Sequence, residues 1–174
     1  MLDDLEIRAF LASDYPRLVA GLAVVLGGRA AAEDAVQEAL ARAWERSMRG
    51  EHIDSLRNWV AVVAMNLLRS RLRRLAAEHR ARERLAVREQ ARQPSPAPLP
   101  GSVDEGLDLG RALRTLPRRQ REALVLHYFG GLPLAEIARA LHTRQGAVQQ
   151  LLHRGRRSLA TALGASYREG ALDA

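Results

Sequence analysis

The chain has 174 residues, 47% of them apolar, which suits one or two small cored domains. Its net charge of +7 and sequence pI near 11.1 point to an anionic partner, nucleic acid or an acidic surface. Cysteine is absent, which excludes disulfides and thiolate metal sites, and the scarcity of aromatic and β-branched residues beside much Ala, Leu and Arg favours an all-α fold.

The N-terminus is acidic and lacks the basic start and apolar run of a signal peptide. No apolar stretch approaches the roughly 20 residues that span a bilayer, so the expectation is a soluble, cytoplasmic protein without membrane insertion. Residues 5–26 are apolar at helical spacing, with a restart at Tyr15-Pro16 and a stop at Gly27-Gly28. Residues 31–48 read as the next helix, with Val36, Leu40, Ala43 and Trp44 on its apolar face and Glu33, Asp34 and Glu38 as an acidic ladder. After a loop at 50–53, Asp54 or Ser55 can cap a helix whose apolar face is Trp59, Val63, Asn66, Leu67 and Ser70. Trp59 suits either stacking on a base or, more commonly, a core position. Past Leu68 this helix turns basic, and Arg69, Arg71, Arg73, Arg74, Arg80 and Arg82 are expected as a solvated stripe that favours a polyanion over a lipid surface.

The run QPSPAPLPGS holds four prolines and reads as an extended linker. It divides the chain into domains at 1–92 and 106–174, with the linker at 93–105. Charge follows the same division: residues 66–92 carry net +6, 93–110 net −3, and 111–158 net +8. All 27 basic residues are arginine, which either suits phosphate contacts or, the blander reading, reflects the coding bias of a GC-rich genome. After the linker, a helix at 107–116 precedes one with Pro117 in its first turn, which Gly130-Gly131 stops.

Residues 133–141 then form a short helix, His142-Thr143 a break, and a longer helix starts near Arg144. That is a helix-turn-helix pattern. Val148, Leu151 or Leu152, Gly155 and Leu159 make an inward stripe suited to Ile137, Leu141, Leu124 and Tyr128. Arg144, Gln145, Gln149, Gln150, His153, Arg154 and Arg157 are left facing out, and Gln and Arg are the side chains that read adenine and guanine edges. Gly146 permits a close approach to a partner helix or to a phosphate backbone. A reader of duplex DNA and a tri-helical interaction module both fit this pattern. Catalysis does not. None of the five histidines pairs at i, i+4, and no phosphate loop, nucleophile elbow or carboxylate–histidine metal set is present.

Four segments, AAEDAVQEALARAWERS, SLRNWVAVVAMNLLRSRLRR, LRTLPRRQREALVLHYFGGLPLAEIARAL and LLHRGRRSL, resemble in order and spacing the signatures of extracytoplasmic-function sigma factors of the sigma-70 family. The resemblance spans nearly the whole chain. It implies an all-α, two-domain initiation factor that is not an enzyme and needs no cofactor or metal. By position, Asp34, Gln37, Glu38, Arg42 and Trp44 resemble the segment that docks on core RNA polymerase. His52, Asn66, Arg69, Ser70 and Arg73 resemble the part that captures unstacked bases of the minus-10 strand. The helix from Arg144 to Arg157 resembles the minus-35 reader. The implied partners are core polymerase, through its β′ clamp helices and β flap, promoter DNA and an anti-sigma factor. Ser70 stands where relatives often carry Asp or Asn, His142 where Gly is frequent at the turn, and Gln149 and Leu151 where two basic residues are common. A helix-turn-helix regulator working without polymerase is the alternative, although it has no use for the segment ahead of the linker.

Overall fold

The computed structural model describes residues 2–26, 28–89 and 107–163, and among these every regular element is helical. The expected linker at 93–105 and Gly27 lie outside the described residues.

Helix α1 (Asp4–Ala9) is capped by the Asp3 carboxylate, which accepts from the Glu6 amide at 2.6 Å. A π-helical turn, Phe10–Asp14, leads into α2 (Tyr15–Leu26). The expected restart at Tyr15-Pro16 is therefore a widened turn and not a break. Pro16 has no N–H to give, and the wide turn lets the Tyr15 amide reach back to the Phe10 carbonyl.

Helix α3 (Arg29–Met48) buries Ala32, Ala35, Val36, Ala39, Ala43 and Ser47 between α2 and α4. The buried face is mostly alanine because three helices converge closely there. Trp44, expected on that face, stands about 100° round the helix from Ala43 and is 49% exposed. Helix α4 (Leu56–Glu89) starts at Ser55, whose hydroxyl accepts from the Asn58 amide; of the two candidate caps, Ser55 fills the role. Its buried residues are Leu56, Val60, Ala61, Ala64, Met65, Leu68 and Arg69. The expected face is thus rotated by about one residue, roughly 100°. Asn66 is exposed, while Trp59, Val63, Leu67 and Ser70 are half-buried. The rotation has a cause outside the helix: α4 packs on α3 along one side and receives the second domain along the other, which draws in Ala61 and Arg69. Arg69 consequently leaves the expected solvated stripe, whereas positions 73–82 are exposed as the sequence suggested.

The second domain comprises α5 (Leu107–Thr115), α6 (Arg118–Leu124) extended by a π-helical turn (Val125–Phe129), α7 (Leu134–Ala140) and α8 (Gln145–Leu163). Pro117 sits just ahead of α6, where its carbonyl accepts from Gln120 and Arg121. Gly131 has φ +70 and ends the π turn as the sequence required.

The two domains share one core. Buried residues run without interruption from Leu18, Leu22 and Val60 to Leu126, Leu132 and Ile137. Glycines set the closeness of the fit: a Cβ on Gly21 would lie 2.5 Å from the Phe129 ring, and one on Gly130 would lie 3.3 Å from the Ala61 methyl. The Arg57 guanidinium lies over Gly131 and reaches Asp14 at 3.2 Å.

Candidate nucleic-acid and partner interfaces

Helix α8 divides cleanly. Val148, Leu152 and Gly155 are buried, Leu151 and Leu159 partly so. Gly155 is the close-approach glycine, since a Cβ there would stand 2.9 Å from Leu124 Cδ1. Gly146 faces open space, so it is not a contact to the partner helix. Tyr128, expected beneath α8, is 47% exposed and stacks edge-on against His127. Arg144, Gln145, Gln149, Gln150, His153, Arg154 and Arg157 are all exposed and form one polar, basic face, joined by Arg156. The turn ahead of α8 holds His142 at φ +50, a conformation that L residues adopt at a cost of about 1–3 kcal/mol. It is fixed by the Thr143 amide donating to the Ala138 carbonyl at 2.9 Å.

The residues assigned to strand capture fall in three places. His52 and Asn66 open into a 450 Å³ cavity with Trp59 on its wall and Glu136, Arg139 and His142 of the second domain opposite. Asn66, Arg69 and Arg73 border a second cavity of 440 Å³ with Arg118, Arg119 and Glu122. Ser70 is on another side of α4, in the groove against α3.

Arg69 is fully engaged across the domain boundary. Its Nη2 donates to Glu122 Oε2 at 2.9 Å and its Nη1 to the Ala140 carbonyl at 2.7 Å. Arg118 Nε donates to the other Glu122 oxygen at 2.7 Å. Glu122 is 1% exposed. Burial pushes its carboxyl up, but the hydrogen bonds and charges of Arg69 and Arg118 outweigh that and hold it below the usual carboxylate range. Sequence reasoning missed Glu122. It is one of two acids among ten arginines in residues 111–158, and it adjoins the apolar run Ala123–Leu126; together those are the available signal.

A third site lies between α3 and α4. Asp34, Glu38, Arg42 and Ser70 line one groove there. Glu38 pairs with Arg42 at 2.9 Å and Asp34 with Arg71 at 3.6 Å, all largely exposed, so these carboxylates remain accessible to a basic partner. Gln37 is exposed on the neighbouring face, which continues to an apolar edge at Trp44 and Met48, 49% and 65% exposed. Among the described residues no cluster of His, Asp and Glu suits a metal, and no helix is long and apolar enough to cross a membrane.

Residues 11–78 match the family described as Sigma-70 region 2, and residues 106–159 match Sigma-70, region 4. The chain is 32% identical over 147 residues to the ECF RNA polymerase sigma factor BldN of Streptomyces coelicolor, covering 79% of this chain and 53% of that protein. It thus spans about half the length of the first relatives it matches. It covers more of others: it is 33% identical to SigL of Mycobacterium tuberculosis across 76% of this chain and 75% of that one. A solved structure, the sigma factor RpoE in complex with the anti-sigma factor NepR from Bartonella quintana, superposes with a TM-score of 0.66 at 26% identity over 90% of this chain and 96% of that one. With both regions present in order and the helix-turn-helix where the second requires it, the chain belongs to the sigma-70 family, in its extracytoplasmic-function branch.

Proposed function

We propose that this chain is a promoter-specificity factor of RNA polymerase, acting through the polymerase and not as an enzyme in its own right. The observation that carries the reading is the presence, in one chain, of a region 2 match whose α3 exposes the carboxylates of Asp34 and Glu38 and a region 4 helix-turn-helix whose second helix turns its whole polar face outward. Asp34, Gln37, Glu38, Arg42 and Trp44 dock on the β′ clamp helices, and the second domain meets the β flap. Gln145, Gln149 and Gln150 contact base edges of the minus-35 duplex, with His153 beside them, while Arg144, Arg154 and Arg157 hold phosphates. His52, Asn66, Arg69 and Arg73 hold the melted minus-10 strand; an amide such as that of Asn66 both donates to and accepts from an unpaired base. The accompanying assignment of Ser70 is weaker, since it lies on the α3 side of α4. Domains at 1–92 and 106–174 with a linker at 93–105 fit this work, as does a location in the cytoplasm. An anti-sigma factor is the natural antagonist, because the RpoE structure was solved with one bound.

The test is run-off transcription with purified core polymerase on a library of promoter fragments. Transcripts that require both core and this chain support the reading. Duplex binding unaccompanied by any core-dependent transcript favours a regulator that works without polymerase.

A further inference from the structure

His142, with φ +50, is the one non-glycine residue at positive φ among the described residues. Glycine adopts that backbone without strain, and a histidine does not. No burial of the side chain offsets the strain, because His142 is exposed. It lines a 310 Å³ cavity between α6 and α8 together with Arg119, Thr143, Gln150 and Arg154, and no carboxylate is among the lining residues. Arg119 enters this cavity from α6. Its Nη1 donates at 2.8 Å to the carbonyl of Leu141, the residue before His142. Arg119 makes no ion pair among the described residues, so Nε and Nη2 remain for a ligand. A guanidinium tied to the backbone by one arm is held in place and still offers a fork to an oxyanion. The opposite wall is Gln150 and Arg154, which places the cavity next to the outward face of α8.

We propose that His142 and Arg119 form a phosphate seat for the backbone of duplex DNA, on the flank of α8 and outside the reader helix itself. The strain at His142 is kept for that contact. The inference rests on the duplex reading of the second domain and deepens it. In either protonation state the imidazole has an N–H to donate to a phosphate oxygen, and Arg119 supplies charge. Phosphates are alike in every sequence, so the seat sets how α8 lies in the groove without selecting bases.

The test uses the full chain and two duplexes of about two helical turns. One has mixed sequence, and the other comes from a fragment that supports run-off transcription. Fluorescence anisotropy over a range of salt gives affinity, and thermal melting gives stability. His142→Gly relieves the strain and is expected to raise the melting temperature by about 2–4 °C. The same variant is expected to bind both duplexes about tenfold more weakly. His142→Asn suits the left-handed region and still carries an N–H donor, so it is expected to keep most of the affinity. Arg119→Gln is expected to make the slope of log affinity against log salt shallower by about 0.9, the share of one phosphate.

Unchanged affinity in His142→Gly overturns the seat. A melting temperature that falls together with affinity also overturns it, since that marks a loosened turn and not a lost contact. A loss confined to the promoter duplex makes His142 a base reader and overturns it as well. An unchanged salt slope in Arg119→Gln removes the charge on which the seat depends. The mixed-sequence arm does not depend on transcription, so the two readings fail separately. A seat that holds there without core-dependent transcripts removes the promoter-specificity reading, and transcripts beside a failed seat leave that reading standing.

Discussion

Arg69 is where composition misleads. Nine arginines fall within residues 66–92, and their density reads as solvated charge. Yet Arg69 is buried, held by a carboxylate 53 residues away. A buried ion pair is weak evidence of net stability, since desolvation offsets the attraction, but removing one partner strands the other charge. Glu122→Ala is therefore expected to lower the unfolding free energy by about 3 kcal/mol, read by urea denaturation. Replacing both partners by leucine should cost much less, because the one charge that then loses its partner, Arg118, is half exposed and can be hydrated. The same carboxylate sets a pH dependence. Its folded pKa lies below its unfolded one, so the stability it contributes is fully present above the ordinary carboxylate range and disappears as pH falls through the depressed value. Glu122→Gln should flatten the decline of melting temperature on the acidic side of that range. A decline as steep as the parent's would show that other carboxylates control it.

Among the elements, α8 was legible in the sequence and the inner face of α4 was not. The buried face of α8 is determined by α5, α6 and α7, which lie nearby in the chain, and Val148, Leu152 and Gly155 announce it at helical spacing. The face of α4 is determined partly by Gly130 and Glu122, which no local pattern on α4 encodes, so reading its largest apolar residues gave a stripe rotated toward Trp59. On α3 the buried stripe is mostly alanine, so a reading that weights the large Trp44 is drawn about 100° off it. For α8, with Val148 and Leu152 turned inward, Gln149 faces away from the core. Gln149→Ala should lose discrimination at one or two base pairs of the minus-35 element, by about 1–3 kcal/mol for a bidentate contact. Arg157→Ala should weaken all sequences alike, as a phosphate contact does. Binding measured across single-base promoter variants decides; a uniform loss for Gln149→Ala removes it as a base reader and leaves specificity to DNA shape or to the melted strand. On α3, Asp34→Arg with Glu38→Arg should weaken capture of core polymerase while circular dichroism stays unchanged, since both carboxylates are exposed and their present ion pairs are worth under about 1 kcal/mol. Unchanged capture would move the docking surface elsewhere, with the exposed Trp44–Met48 edge as the next place to look.

At the scale of the molecule, proline content and charge alternation suggest two units on a tether. What neither pattern could encode is that the units close on each other, because the contacts, an apolar core with close-approach glycines and the hydrogen bonds of Arg69, join segments far apart in the chain. A core that runs continuously through both halves should unfold as one. The distribution of chromophores makes this measurable. Both tryptophans, Trp44 and Trp59, belong to the first domain, whereas helical circular dichroism reports on both. In the parent chain the two signals should follow a single denaturant transition. In Gly21→Val, where Phe129 is displaced from α2, they should separate, with one domain persisting after the other has melted. If the two signals already diverge in the parent, the domains fold independently and the shared core contributes little cooperativity. If they coincide in both chains, Gly21 is not a point on which closure depends, and the rest of the shared core with the ion pair at Arg69 carries the connection.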